Sequence, residues 1–101
     1  MTDHLRFHIA GINFRKNVKD YVGKFTGYIQ SEPTNAYDPY AIAVYADDGH
    51  HLGYIPADDT YEVRDLGLYF PIAVWGEIEE CYDYERSRDY FKGLVYIDVP
   101  S

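Results

Sequence analysis

Turn-forming residues divide this chain into short segments, and that division constrains the fold more than any other feature. Runs rich in β-branched and aromatic residues lie between clusters of Gly, Pro, Asn and Asp. The pattern predicts six strands, over residues 5–10, 25–32, 40–46, 50–55, 69–82 and 89–99. It also predicts short helical turns over 18–22, capped by Asn17, and over 59–66, capped by Asp58 or Asp59.

Strands at this spacing, with one or two short helices, indicate a small closed or half-closed β-barrel in a single domain over residues 1–101. The lone Cys81 excludes an internal disulfide and fits a reducing compartment. No apolar run approaches the roughly 20 residues that span a bilayer, so no membrane partner is expected. The first residues lack the basic-then-apolar layout of a signal peptide, which favours a cytoplasmic location.

Charge is distributed unevenly along the chain. The net charge is −8, yet residues 1–31 carry five basic and two acidic residues, a net of +3. Residues 32–101 carry the remaining −11. A strongly acidic protein is a poor candidate for coating duplex DNA, because such binding neutralises many phosphates. The basic segment FRKNVK, residues 14–19, is either a solvated loop or a small anion-binding patch.

The residues that usually carry catalysis are absent from recognisable contexts. There is no nucleophile elbow and no glycine-rich phosphate loop, since Gly11 and Gly23 are isolated. His50 and His51 point to opposite faces of a strand, so they do not predict a shared metal. Paired aspartates at 47–48 and 58–59 are typical of turns and caps. We therefore expect no enzyme activity, no cofactor and no small-molecule substrate.

Three motifs follow one another along the first half of the chain. Residues 8–12 read HIAGI, residues 31–44 read SEPTNAYDPYAIAV, and residues 48–56 read DGHHLGYIP. Together they resemble the HIRAN domain family, whose pattern is E-P-x-N-x-x-D-x-x-A-I-x-V followed by a G-x-x-[hydrophobic]-G hairpin. The order and spacing agree over residues 7–56, and the later strands are consistent with the same barrel.

The resemblance implies an OB-like β-barrel and a non-catalytic nucleic-acid-binding function. HIRAN domains occur in remodellers of stalled replication forks, which links the family to DNA repair, and also as stand-alone proteins. In the remodellers the domain resembles a reader of single-stranded DNA at its 3′ end. Carried over position by position, the implied nucleic-acid-binding residues are Asn13, Phe14, Arg15, Asn35, Tyr37, Asp38 and Tyr54.

The chemistry of these residues suits that role. Phe14 and Tyr37 offer rings on which bases can stack. Arg15 presents a planar fork to a phosphate. Asp38 can accept a hydrogen bond from a terminal hydroxyl and repels a phosphate at the same place. Asn35 and Asp38 also have a purely structural interpretation, because both residue types routinely bond nearby backbone amides in loops.

This chain departs from the DNA-binding members in ways that favour an alternative partner. Those members carry an arginine and two tyrosines where this chain has Asn13, Phe14 and Arg15, and lysines where it has residues 56–59. The segment 82–96 is rich in Tyr and Arg, which are typical of protein-contact hot spots. A protein–protein interaction domain that uses this hairpin is the alternative function. The residues leave open DNA or RNA, the identity of a protein partner and the oligomeric state.

Overall fold

The structure, a computed structural model, describes residues 3–100. Six antiparallel strands form one curled sheet, a half-barrel, in the order β1-β6-β5-β2-β3-β4. The strands are β1 (His4–His8), β2 (Gly23–Ser31), β3 (Ile42–Ala46), β4 (His51–Tyr54), β5 (Ile72–Asp83) and β6 (Arg88–Asp98). The predicted all-β class with about six strands in a small OB-like barrel is confirmed.

Helical structure is confined to short pieces. Among residues 3–100 the one α-helix, α1, covers Thr60–Arg64, and 3-10 turns cover Ile12–Phe14, Val18–Tyr21 and Ala57–Asp59. The predicted caps are not observed, since neither Asn17 nor Asp59 makes a side-chain capping bond. Asp59 lies inside a continuous helical path, because the 3-10 turn before it runs directly into α1, and so it lacks the extended conformation of a cap. No helix among residues 3–100 is long and apolar enough to cross a membrane.

Two strands begin two or more residues later than the sequence pattern predicts. β5 begins at Ile72 and not at Tyr69, which is 94% exposed. Pro71 has no N–H to donate to a strand ladder, so pairing starts after it. β3 begins at Ile42 because the N–H of Tyr40 is bonded to the Asp38 carboxylate, 2.8 Å away, within the preceding loop.

Alternation along the strands directs one set of apolar side chains into the barrel. The predicted core residues Ala41, Ile42 and Val44 are buried. Burial of each large side chain contributes roughly 1.5–3 kcal/mol to folding. The largest fully buried side chains are Ile29, Ile42, Leu52, Ile55, Ile78, Ile97, Val44, Val63 and Val95.

A single backbone pair draws the two ends of the sheet together. Ala10 and Tyr54 exchange two hydrogen bonds, of 2.8 and 2.9 Å, just beyond β1 and at the end of β4. Gly53 permits this approach: a Cβ there would lie 2.5 Å from the Ala10 carbonyl oxygen, and its φ is 151°. The expectation that Gly53 is a backbone necessity is confirmed. The closure places the residues after β1 directly against β4.

Candidate nucleic-acid interface

Asn13 holds the segment after β1 against β6. Its side-chain NH₂ donates to the Phe91 carbonyl over 3.0 Å, and the Phe91 N–H donates to its side-chain oxygen over 2.7 Å. The Asn13 side-chain amide thus makes the two hydrogen bonds that the backbone of a neighbouring strand would make to Phe91 in β6. Both ends of its amide are engaged by the scaffold, so its role in this structure is to fix the two residues that follow it.

Those two residues are exposed. Phe14 is 85% exposed, and Arg15 reaches across to β4, where its Nη1 lies 2.7 Å from Nδ1 of His51. A guanidinium only donates hydrogen bonds, so Nδ1 accepts and the ring proton lies on Nε2. Nε2 donates in turn to the Gly53 carbonyl, 2.9 Å away. Arg15 is held by a neutral histidine and not by a carboxylate.

The surroundings of His51 favour this neutral form. Burial lowers the pKa of His51 below its ordinary value, and the neighbouring Arg15 charge lowers it further. The Gly53 carbonyl and the Glu32 carboxylate oppose this pKa shift, but they are weaker. His51 therefore stays uncharged at neutral pH and continues to accept the Arg15 hydrogen bond.

The loop between β2 and β3 is built on side-chain bonds to its own backbone. The Asn35 side-chain oxygen accepts from the N–H groups of Tyr37 and Asp38 at 2.8 and 3.0 Å. Asp38 accepts from the N–H of Tyr40 through one carboxylate oxygen, Oδ1. Asn35 and Asp38 therefore have the structural role that their residue types allow. Tyr37, at the tip of the loop, is 99% exposed.

Glu32, at the base of this loop, joins it to the sheet. Its carboxylate accepts from the Asn35 side-chain NH₂ at 3.0 Å and from the Tyr45 hydroxyl at 3.4 Å. Burial raises the pKa of Tyr54 above its ordinary value, and the Glu32 carboxylate raises it further. Burial and Glu32 likewise raise the pKa of Tyr45.

These contacts connect three of the predicted residues, Arg15, Tyr54 and Asn35. Arg15 bonds to His51, and the His51 ring meets the Tyr54 ring edge-on at 4.9 Å. The His51 ring also lies 5.2 Å from the Tyr45 ring, whose hydroxyl donates to Glu32, and Glu32 accepts from Asn35. Sequence reasoning assigned no role to His51, Tyr45 or Glu32. Strand alternation places Tyr45, His51 and Tyr28 on one face, and that signal indicates an aromatic layer beneath the site.

Nearby basic residues extend the exposed charge. Lys16 and Lys19 follow Arg15 and are both exposed. Their segment is held in place because Nε2 of His50 lies 2.6 Å from the Lys16 carbonyl, and the His50 ring stacks on Tyr21 at 4.7 Å.

Among residues 3–100, no group of three or more His, Cys, Asp or Glu side chains is placed to hold a metal ion.

The chain is similar to two solved structures and to one family model. No curated protein matches the chain significantly. A crystal structure of a protein from Lactobacillus plantarum superposes with a TM-score of 0.52 and 18% identity, covering 96% of this chain and 99% of that one. The HIRAN domain of human HLTF gives a TM-score of 0.49 at 18% identity, covering 93% of this chain and 75% of that one. The sequence model of the HIRAN domain family matches residues 2–93, so the chain belongs to this family.

Proposed function

We propose that this domain binds the 3′ end of single-stranded DNA, without catalysis, at a surface formed by Phe14, Arg15, Tyr37 and Asp38. We name this surface the end site. The HIRAN domain is known as a nucleic-acid-binding module and is generally non-catalytic. Recognition of a 3′ end is more specific than nucleic-acid binding in general, and this part of the proposal rests on the chemistry of these four side chains.

One observation carries the proposal: an unbroken set of contacts joins the two segments that hold the end site. Arg15 bonds to His51 over 2.7 Å, and the His51 ring lies 5.2 Å from the ring of Tyr45. The Tyr45 hydroxyl and the Asn35 side-chain NH₂ both donate to Glu32. Two segments about twenty residues apart are thus fixed relative to each other, and a preorganised surface loses less entropy when a ligand binds.

Asp38 supplies the discrimination between an end and an interior nucleotide. Its Oδ1 is engaged by the Tyr40 N–H at 2.8 Å, so the carboxylate is fixed in orientation. Within residues 3–100 that is the one hydrogen bond its side chain accepts, which leaves Oδ2 for a ligand hydroxyl. A 3′ phosphate in the same place would bring two negative charges together and would remove the donor.

The two exposed rings supply affinity that does not depend on sequence. Phe14 and Tyr37 are 85% and 99% exposed. An exposed ring has both faces open to an unpaired base, and each stacked base contributes roughly 1–3 kcal/mol. Arg15 adds a phosphate contact beside Phe14. Bases in a duplex are already stacked and paired, so this combination favours single strands.

The proposal is tested with labelled ten-nucleotide strands that end in either a 3′ hydroxyl or a 3′ phosphate. Fluorescence anisotropy at low salt measures both affinities. We expect the hydroxyl-ended strand to bind at least about tenfold more tightly, which corresponds to about 1.5 kcal/mol for a hydrogen bond to a charged group.

Two variants separate end recognition from stacking. Asp38→Asn keeps an oxygen for the Tyr40 N–H, so it should preserve the loop while it narrows the difference between the two ends. Phe14→Ala should weaken both strands alike, because stacking is blind to the terminus. Equal affinity of the wild-type protein for both ends rules out 3′-end recognition. No binding of either strand favours a protein partner instead.

A further inference from the structure

We propose that the groove between residues 14–15 and the tip of the β5–β6 hairpin binds the nucleotides that precede the terminal one on the same single strand. We name it the hairpin groove. The proposal rests on the end site, and it assigns a role to the Tyr- and Arg-rich segment after residue 81. The side chains that carry it are Phe14, Arg15, Tyr82, Tyr84, Arg86 and Arg88.

The hairpin groove is continuous with the end site. Its volume is about 810 Å³, and Phe14 and Arg15 form one of its walls. The opposite wall is the hairpin tip, where β5 and β6 pair as far as Asp83 and Arg88. A strand whose last base stacks on Phe14 therefore has an open path along the groove, away from the Asp38 loop.

The hairpin tip is held in one shape before any ligand arrives. It extends beyond the rest of the sheet, since the pairing of β2 with β5 ends at Ile78. Oδ1 of Asp83 accepts the N–H groups of Glu85 and Arg86 at 3.0 and 3.2 Å. Ser87 completes the turn with a positive φ of 51°. A turn fixed by these bonds loses little entropy on binding.

Two tyrosines at the tip present open ring faces. The rings of Tyr82 and Tyr84 meet edge to face, with centroids 4.9 Å apart and an interplanar angle of 74°. This arrangement leaves ring faces uncovered, and Tyr84 is 85% exposed. Exposed rings on a rigid turn, next to a third ring at Phe14, form a stacking platform for unpaired bases.

Arginines beside these rings are available for phosphates. In the described part of the chain the one ion pair is Arg86 with Asp83, at 3.8 Å and with the arginine side chain 69% exposed. Arg15 is bonded to His51, and Arg88 has no carboxylate within 4.0 Å among residues 3–100. The acidic Asp83, Glu85 and Asp89 also line the groove.

The equal numbers of acidic and basic residues in the groove define what it can bind. Three arginines face three carboxylates, so the groove has no excess of positive charge to attract a duplex. Individual arginine forks can still contact individual phosphates, while the rings bind bases. We therefore infer a single strand bound mainly by stacking, with few phosphate contacts.

The experiment compares hydroxyl-ended strands of three and nine thymidines, because only the longer one reaches beyond the end site. NMR titration measures both affinities, including weak ones. The variant Tyr84→Ser/Arg88→Ser changes two exposed side chains, and its fold is checked by circular dichroism. We expect the nine-nucleotide strand to lose at least about fivefold in affinity, the lower limit for one stacked base. The three-nucleotide strand should bind as it does to the wild-type protein.

A matched control removes the same residue types elsewhere. Tyr69→Ser/Arg6→Ser also deletes one exposed tyrosine and one exposed arginine, at positions outside the groove. It should leave both strands unaffected. Tyr84→Phe/Arg88→Lys keeps a ring and a charge and should retain most of the affinity for the longer strand.

The outcomes distinguish this proposal from the end site itself. An unchanged affinity of Tyr84→Ser/Arg88→Ser for the longer strand overturns the hairpin groove, even when 3′-end discrimination persists. An equal loss for both strand lengths, or the same loss in the control, also overturns it. Failure of the end site appears differently, as equal affinity of the wild-type protein for hydroxyl and phosphate ends.

Discussion

A carboxylate that supports a loop can also bind a ligand, because it has two oxygens. Asp38 uses Oδ1 for the Tyr40 N–H and thereby fixes the direction of Oδ2. Asn13 is different, since both ends of its amide bond to Phe91. Positions that shape the proposed end site thus differ from positions that can contact DNA. His51 belongs to the first group, because it orients Arg15 only while its ring is neutral.

Stability should depend on the charge state of His51. The pKa of His51 is lower in the folded protein than in the unfolded chain, where it is about 6.5. The unfolded state therefore binds more protons just below that pH, and the free energy of unfolding falls as pH decreases from about 6.5 toward the folded pKa. Above about 6.5 the contribution of His51 is fully present. Urea denaturation between pH 5 and 7.5 measures this loss of stability. Its pH dependence corresponds to the uptake of less than one proton on unfolding.

His51→Gln tests the assignment, since a glutamine oxygen can still accept from Arg15 but has no proton equilibrium in this range. Its stability should vary less with pH than that of the wild type. His8→Gln, at an exposed position of β1, removes a histidine away from Arg15 and should retain the full dependence. A His51→Gln protein with unchanged pH dependence would show that another group is responsible.

At the scale of elements, the sequence determined the strands well, because turn residues and alternation are local signals. The hairpin turn at 47–49 and the core positions of β3 follow directly from them. Pairing between distant segments was harder to predict from the sequence. Nothing local indicates that Asn13 bonds to Phe91, or that Arg15 reaches His51, because both contacts depend on how the sheet curls. The family resemblance suggested the residues of the proposed end site, but not the residues that support them.

The closure between Ala10 and Tyr54 should be the most sensitive point of the backbone. Gly53→Val places a side chain 2.5 Å from the Ala10 carbonyl oxygen and 2.6 Å from Ile9, so the bridge must open. We expect a loss of about 2–4 kcal/mol in the free energy of unfolding. Asp38→Ala removes one loop hydrogen bond and should lose about 1 kcal/mol. Urea denaturation of both variants measures the difference.

Gly11→Ala is the matched control for backbone strain. Gly11 also has a positive φ, of 73°, but an added Cβ would meet nothing within 4 Å. The loss of stability in Gly11→Ala is therefore limited to the strain of the left-handed conformation, about 1–2 kcal/mol. If Gly53→Val is no less stable than Gly11→Ala, the close approach of Gly53 to Ala10 does not hold the barrel closed.

At the scale of the whole molecule, charge limits how DNA can be bound. The chain has 17 acidic and 9 basic residues, and the described residues contain one ion pair. Most basic side chains are thus free of carboxylate partners, while the acidic remainder repels a long polyanion. A protein of this kind can hold a short piece of single strand at a local basic patch, but it resists coating a duplex.

This limit predicts a small salt dependence. Arg15 belongs to the end site and Lys16 and Lys19 follow it in the chain, whereas Lys24 lines a different groove with Trp75. A three-nucleotide strand has two phosphodiester groups, so we expect a slope of log affinity against log salt near −1.4, at roughly −0.7 for each single-strand contact. A nine-nucleotide strand can contact all three of these residues as well as Arg86 and Arg88, so its slope should be about −3.5. Anisotropy titrations between 25 and 200 mM NaCl measure both slopes.

The difference between the two slopes is more informative than either value. Arg88→Ser should reduce the nine-nucleotide slope by about 0.7, the value of one phosphate contact, and leave the three-nucleotide slope unchanged. Arg15→Ser should reduce both slopes, because Arg15 lies where the end site meets the hairpin groove. A slope near −8 for either strand would require more basic contacts than these two surfaces offer. Equal slopes for the two strands would mean that phosphates beyond the end site contact no arginine, so the acidic residues of the hairpin tip would then dominate its field.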